Sequence, residues 1–209
     1  MATVITVAQQ KGGAGKTTLA ANLAVAFAIT GRRVAMLDID PQHSLARWHA
    51  LRAKRKDAIA ITLSDAAGWR LATEVEKLSR AHDVVLIDSP PQIDTDAKLA
   101  IRAATLVLVP MQPSPPDLWA AEGTLKLAAA EKRPVRLLLN RAPASGKLRA
   151  GIEHDVKAAG HPLMLAVLGN RIGFATAFAQ GLGVLETAPK AVAGQEMRAV
   201  YNELLQYLT

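Results

Sequence analysis

The chain has 209 residues, a formal net charge of +7 and no cysteine, and half of its residues are hydrophobic. This hydrophobicity excludes a disordered chain, and the lack of cysteine excludes disulfides and cysteine-ligated zinc or iron–sulfur centres. No apolar run reaches the ~18 residues of a membrane-spanning helix, and no basic lead-in precedes the N-terminal apolar segment, as it would in a signal peptide. We therefore expect one cytoplasmic domain, residues 1–209.

Apolar runs alternate with helical patterns along the whole chain. A helix is predicted over 17–29, and a last helix over 194–208 has one apolar face suited to core packing. The predicted strands are continuous Val, Ile and Leu runs, which are typical of parallel sheets buried on both faces. The order therefore predicts an α/β fold with a doubly wound, mostly parallel sheet flanked by helices. The predicted strands are 3–8, 33–37, 59–63, 83–87, 105–110 and 135–139, with weaker candidates at 163–167 and 184–186.

Basic residues cluster in two blocks of the sequence. Residues 47–56 contain five basic side chains and no acidic one, and residues 126–157 carry a net charge of +5. Such patches indicate a polyanionic partner, although a solvated helix face is the alternative explanation. The last helix has Arg198 as its single basic residue, whereas a helix that lies on a membrane surface would carry several.

A glycine-rich segment follows the first predicted strand and opens the first helix. Its glycines let backbone N–H groups converge on phosphate oxygens, and the positive end of the helix favours the same anion. Lys16 is placed to reach the β- and γ-phosphates, and the Thr17 hydroxyl is placed to ligate Mg²⁺. The segment reads Lys11-Gly12-Gly13-Ala14-Gly15-Lys16-Thr17-Thr18.

This segment resembles the deviant Walker A motif of the ParA/MinD family of ATPases. An ordinary Walker A motif has glycine where Gln10 stands, and here a second lysine, Lys11, follows instead. Residues 38–42 resemble the family's switch-like motif, and residues 84–91 resemble its Walker B strand, which ends in Asp and two prolines. Residues 113–118 resemble a loop of small ParA proteins. The resemblance covers essentially the whole chain and is closest to small partitioning proteins of the ParA type.

The resemblance implies a role for each matching polar residue. Lys16 and the backbone of residues 12–18 would hold the triphosphate, while Thr17 and, through water, Asp88 would bind Mg²⁺. Asp40 would orient or deprotonate the attacking water, and Lys11 would reach the phosphates of a partner subunit in a sandwich dimer, where an extra cation stabilises the developing charge. Asp38 is expected to shape the loop. Asp117 would either cap the helix that it opens or touch the nucleotide.

The loop after the strand at 135–139 bears on which base is bound. It begins with Asn140-Arg141 and lacks the Asp that reads guanine in GTP-specific loops. Asn140 matches the family's adenine contact, and a turn residue is the alternative explanation. We therefore expect ATP and Mg²⁺ as ligands.

The resemblance also implies a cellular function. ATP would drive formation of a homodimer that binds DNA without sequence preference, so that the protein becomes associated with the nucleoid. A ParB-like or cargo-adaptor protein would stimulate hydrolysis, and the cycle would partition or position a plasmid, a chromosome region or a protein cargo. A MinD-like membrane-positioning ATPase and an ATP-dependent biosynthetic ligase are the alternatives, but no membrane contact is expected.

Nonspecific DNA binding depends mainly on phosphate contacts, so the basic blocks supply the candidate contacts. The C-terminal part of the chain, where relatives often contact DNA, offers few basic residues. The favoured candidates all come from the second block: Lys132, Arg133, Arg136, Lys147 and Arg149.

Overall fold

A computed structural model describes residues 2–64, 70–92 and 95–208. Its sheet is six-stranded, every pairing is parallel, and the strand order is β3-β2-β4-β1-β5-β6. The chain places β2, β3 and β4 on one side of β1 and then β5 and β6 on the other, which confirms the predicted doubly wound parallel sheet. The strands are β1 (Thr3–Val7), β2 (Val34–Asp38), β3 (Thr62–Ser64), β4 (Val84–Asp88), β5 (Leu106–Met111) and β6 (Val135–Leu139).

Helices cover both faces of the sheet. Alternate side chains of the strands enter opposite apolar layers, which explains why the strands are apolar throughout. One layer contains α1 and α9, and the other contains α3 to α6. The helices are α1 (Lys16–Ile29), α2 (Ser44–Arg52), α3 (Leu71–Ala81), α4 (Thr95–Ala103), α5 (Pro115–Ala130), α6 (Lys147–Ala158), α7 (Ile172–Phe178), α8 (Val184–Thr187) and α9 (Val192–Gln206).

Helix α9 fulfils the packing predicted for the C-terminal helix, although it begins two residues earlier. Met197, Val200, Tyr201 and Leu204 are all buried in the layer that contains α1. The Tyr201 ring meets Phe27 of α1 edge-on, with 5.0 Å between the ring centroids. None of the helices in the described ranges is long and apolar enough to cross a bilayer.

The structure corrects three strand predictions. The strand expected at 59–63 lies at Thr62–Ser64. The candidate at 163–167 forms only one bridge, from Leu163 to Leu137, because Glu203 of α9 accepts two of its backbone N–H groups in place of a strand partner. The candidate at 184–186 is the start of α8, where the Glu186 carboxylate caps the helix by accepting the N–H of Gly183.

The end of α2 is fixed to the segment around α8. Arg52, only 4% exposed, donates to both carboxylate oxygens of Glu186 at 2.7 and 2.9 Å and to the Gly181 carbonyl. A Cβ on Gly181 would approach the Arg52 backbone N to 2.3 Å, so glycine is needed for this contact. One turn earlier, Trp48 Nε1 donates to the Leu182 carbonyl. These contacts anchor the helix that follows the switch-like motif.

Candidate nucleotide site

The loop between β1 and α1 has the backbone that its glycines predict. Gly13 and Gly15 have φ angles of 78° and 86°, in the left-handed region that favours glycine. Gly15 is the N-cap of α1 and supplies no side chain to cap it. A Cβ on Gly15 would lie 2.5 Å from Asn140 Nδ2. The first turn of α1 therefore keeps its backbone donors available to a phosphate.

Three parallel strands end beside this loop, and two of them bring their terminal carboxylates together. Asp38 of β2 pairs in register with Asp88 of β4, which also pairs with Val7 of β1. A cleft of about 370 Å³ opens above these strand ends. The cleft is lined by Gly12, Gly13, Gly15, Lys16, Thr17, Thr18, Asp40, Gln42, Ser44, Pro91, Arg141 and Phe178.

Asp88 has a fully buried carboxylate whose oxygens lack hydrogen-bond donors of standard geometry in the described residues. Burial raises the pKa of Asp88 from 3.8 to about 7, and the nearby Thr17 hydroxyl only partly offsets that rise. A carboxylate and a hydroxyl are ligands that Mg²⁺ accepts. The pair predicted to hold Mg²⁺ thus fits that ion.

Lys16 faces the two carboxylates that were predicted to act with it. Its side chain is buried, and desolvation lowers its pKa from 10.5 despite the attraction of Asp88 and Asp40. Asp40 is half-buried on the rim of the cleft, and its Oδ1 accepts the Gln42 N–H. Asp38 accepts the N–H groups of Asp40 and Ala46 and so shapes the loop, as expected.

Asn140 connects the loop after β6 to the glycine-rich loop between β1 and α1, the P-loop (residues 11–18). Its Nδ2 donates to the Ala14 carbonyl at 2.7 Å, and its Oδ1 accepts the Arg141 N–H at 3.0 Å. Asn140 also lines a second cavity of about 110 Å³ beside the P-loop. Its adenine contact stays a prediction. The cavity is lined by Gly15, Thr18, Leu19, Asn22, Asn140, Arg141, Leu168, Gly169, Asn170, Arg171, Phe174 and Ala175.

Lys11 makes an ion pair that sequence analysis missed. Its Nζ lies 2.5 Å from Oδ2 of Asp117, which is 1% exposed, while the Lys11 side chain remains 40% exposed. Ser114 is the N-cap of α5, so Asp117 is not the helix cap that was one of its two predicted roles. Ser114 Oγ also donates to Asp117 Oδ2 at 2.6 Å. The second lysine of the motif is thus held within its own subunit.

The five favoured DNA-contact residues do not form one surface. Lys132 and Arg133 precede β6, whereas Lys147 and Arg149 follow it at the opposite edge of the sheet. Arg149 pairs with its helix neighbour Glu153. The Arg136 guanidinium lies 4.1 Å from the centroid of the Tyr207 ring. In the first basic block, Arg52 is buried against Glu186 and cannot contact a polyanion.

Comparison with known proteins places this site in a family. The protein is 31% identical to maintenance of carboxysome distribution protein A of Gloeobacter kilaueensis, over 98% of this chain and 93% of that protein. It is 26% identical to the chromosome-partitioning ATPase Soj of Thermus thermophilus, over 96% and 94% of the two chains. The structure of the MinD cell division protein of Aquifex aeolicus superposes with a TM-score of 0.83 at 21% identity, covering 98% of each chain. The sequence profile of the CobQ/CobB/MinD/ParA nucleotide binding domain matches residues 5–184, and the chain therefore belongs to this family.

Proposed function

We propose that this P-loop ATPase positions a cargo through an ATP-dependent cycle of dimerisation and nonspecific DNA binding. The observation that carries the proposal is an open phosphate cleft with a second lysine directly before it in the sequence. Lys11 precedes Gly12 of the cleft lining, and its side chain is 40% exposed. A lysine in this place can serve a neighbouring subunit as well as its own. The nearly full-length similarity to proteins named for carboxysome distribution and chromosome partitioning supports a positioning role.

Each polar residue in or beside the cleft has a separate role in ATP hydrolysis. The backbone N–H groups of residues 12–18 and the Lys16 ammonium bind the phosphates. Mg²⁺, held through Thr17 and Asp88, would neutralise charge on the β- and γ-phosphates. Asp40 accepts a hydrogen bond from the attacking water and orients it. Lys11 of each subunit stabilises the charge that develops in the other subunit's site.

The cycle needs a long-lived ATP state and a signal that ends it. Basal turnover should therefore fall far below the ~1–10³ s⁻¹ of typical enzymes. A ParB-like or cargo-adaptor protein would accelerate it and release the dimer from DNA. The ATP form would associate with the nucleoid, and the cargo would be a plasmid, a chromosome region or a protein assembly.

The hydrolytic step is tested by Asp40→Ala. This variant should bind ATP and dimerise but not release phosphate, because the water loses its orienting carboxylate. Asp57→Ala is the matched control, since Asp57 is an exposed acid paired with Arg55 and lies outside the cleft. Phosphate release by Asp40→Ala at the wild-type rate would remove Asp40 from the mechanism.

The DNA step is tested by the salt dependence of binding to duplexes of unrelated sequence. ATP should promote binding and ADP should reverse it, with a log–log salt slope of about −0.9 per phosphate contacted. Charge reversal of Lys132 and Arg133, and separately of Lys147, should flatten the slope for the true contact group and leave ATP affinity unchanged. If the ATP form ignores DNA at low salt and sediments with anionic vesicles, the membrane-positioning alternative replaces this proposal.

A further inference from the structure

Arg141 lies at the junction of the two cavities beside the P-loop. It lines both the cavity of about 110 Å³ that contains Asn140 and the cleft of about 370 Å³ that contains Lys16. Among the residues that the structure describes, only Gly15 and Thr18 also line both cavities. A Cβ built on Gly15 would lie 3.9 Å from Arg141 Nε, so the guanidinium rests against the P-loop.

The backbone of Arg141 is strained in a way that fixes this placement. Its φ angle of 51° lies in the left-handed region, which costs a non-glycine residue roughly 1–2 kcal/mol. Asn140 holds the conformation, because its Oδ1 accepts the Arg141 N–H while its Nδ2 grips the Ala14 carbonyl. Strain of this kind persists where the surroundings impose it and clusters at ligand sites. The Asn140 amide thus couples the position of Arg141 to the P-loop.

The Arg141 side chain is also electrostatically available. Arg171, which also lines the smaller cavity, is by contrast paired with Glu196. Across residues 2–64, 70–92 and 95–208, no hydrogen bond or ion pair engages the exposed guanidinium of Arg141. A strained backbone therefore presents an unpaired cation to the boundary between the two cavities.

We propose that Arg141 is a nucleotide-binding residue whose guanidinium contacts the phosphate nearest the ribose. The cavity lined by Asn140 would bind the base, and the cleft lined by Lys16 would bind the terminal phosphates. The α-phosphate would then lie at the boundary between them, which is formed by Gly15, Thr18 and Arg141. This inference rests on the proposed nucleotide site but not on dimerisation or DNA binding. ADP and ATP share this phosphate, and Arg141 acts on both alike.

Calorimetric titration of the protein with Mg-ADP, Mg-ATP and adenosine tests the assignment, and Mg-ADP gives the measurement that the proposed ATP-driven dimerisation does not affect. Loss of a charge-assisted hydrogen bond in Arg141→Ala should weaken ADP and ATP binding about 10- to 100-fold and leave adenosine affinity unchanged. Arg141→Lys keeps the charge and should recover at least half of the loss on a logarithmic scale. Arg32→Ala removes an exposed arginine at the opposite edge of the sheet and should change nothing.

Three outcomes would overturn the assignment of Arg141. An equal loss for adenosine would place Arg141 on the base, and unchanged ADP affinity would remove it from the site. An Arg141→Lys variant as weak as Arg141→Ala would show that charge is not what the ligand recognises. If the wild-type chain binds nucleotide but neither dimerises nor binds DNA, the proposed function fails while the Arg141 result stands.

Discussion

Dimerisation should become tighter when Asp117 is replaced by asparagine. In the isolated subunit, the Nζ of Lys11 lies 2.5 Å from Asp117 Oδ2. The same ammonium is proposed to contact the phosphates of the second subunit, so each Lys11 must leave its carboxylate when the dimer forms. Asp117→Asn keeps an acceptor oxygen for the Gln112 N–H and places an amide N–H that can donate to the Ser114 hydroxyl, but it removes the charge that competes with phosphate.

The size of the effect follows from the exposure of the two partners. A hydrogen bond between charged groups contributes about 1.5–3 kcal/mol, and a fully exposed ion pair about 0–1 kcal/mol. Asp117 is 1% exposed and Lys11 is 40% exposed, so an intermediate value of about 1–2 kcal/mol is appropriate. Two pairs break per dimer, which corresponds to about 2–4 kcal/mol and a 30- to 1,000-fold tighter dimer.

Sedimentation velocity over a concentration series, with a nonhydrolysable ATP analogue, measures this change. Lys11→Ala with Asp117→Asn is the control and should not dimerise, because the lysine that acts across the interface is then missing. Ser114→Ala leaves the Asp117 charge in place and should not tighten the dimer. A weaker dimer in Asp117→Asn would refute the reasoning and would mean that the carboxylate aims Lys11 toward the partner.

Two further predictions concern buried charges. The folded-state pKa of Asp88, about 7, lies above its ordinary 3.8, so its neutral form is favoured and stability is lost as pH rises through this interval. Without Mg²⁺, Asp88→Asn should therefore raise the free energy of unfolding by about 4 kcal/mol at pH 8 and about half as much near pH 5.5, as measured by urea denaturation; an equal gain at both pH values would contradict this account. Glu186→Gln should cost about 3–5 kcal/mol in the same assay because it leaves Arg52 charged and buried, and adding Arg52→Met should recover much of the loss. If stability does not recover, the geometry of the Arg52–Glu186 pair, and not the buried charge, determines its contribution to the free energy of unfolding.

The parts of the fold that depend on short stretches of sequence are predictable. The apolar strands, the glycines at 12, 13 and 15, and the Gly-Lys-Thr start of α1 each specify local backbone geometry, and the structure has the elements they predict. The parallel strand order then brings Asp38 and Asp88 together without further information. The errors at 163–167 and 184–186 arise where carboxylates of distant or capping residues, Glu203 and Glu186, take the backbone donors.

Contacts between distant segments could not be predicted in this way. Lys11 and Asp117 are separated by 106 positions, and Asn140 and Ala14 by 126, so no local pattern announces either contact. The prediction of a single DNA-contact surface from the two basic blocks failed for a related reason. A sum along the sequence counts Lys132 and Lys147 together although β6 lies between them, and it counts Arg52 although that side chain is buried.

The anchored end of α2 limits how far the Asp40 loop can travel. Helix α2 cannot slide along its axis without breaking the Arg52–Glu186 pair and the Trp48–Leu182 hydrogen bond. Any rearrangement around bound nucleotide is then absorbed by residues 39–43, between the end of β2 and the start of α2. This five-residue segment joins a strand of the sheet to a helix whose far end is fixed, so a change in its shape moves the Asp40 carboxylate and leaves the end of α2 in place.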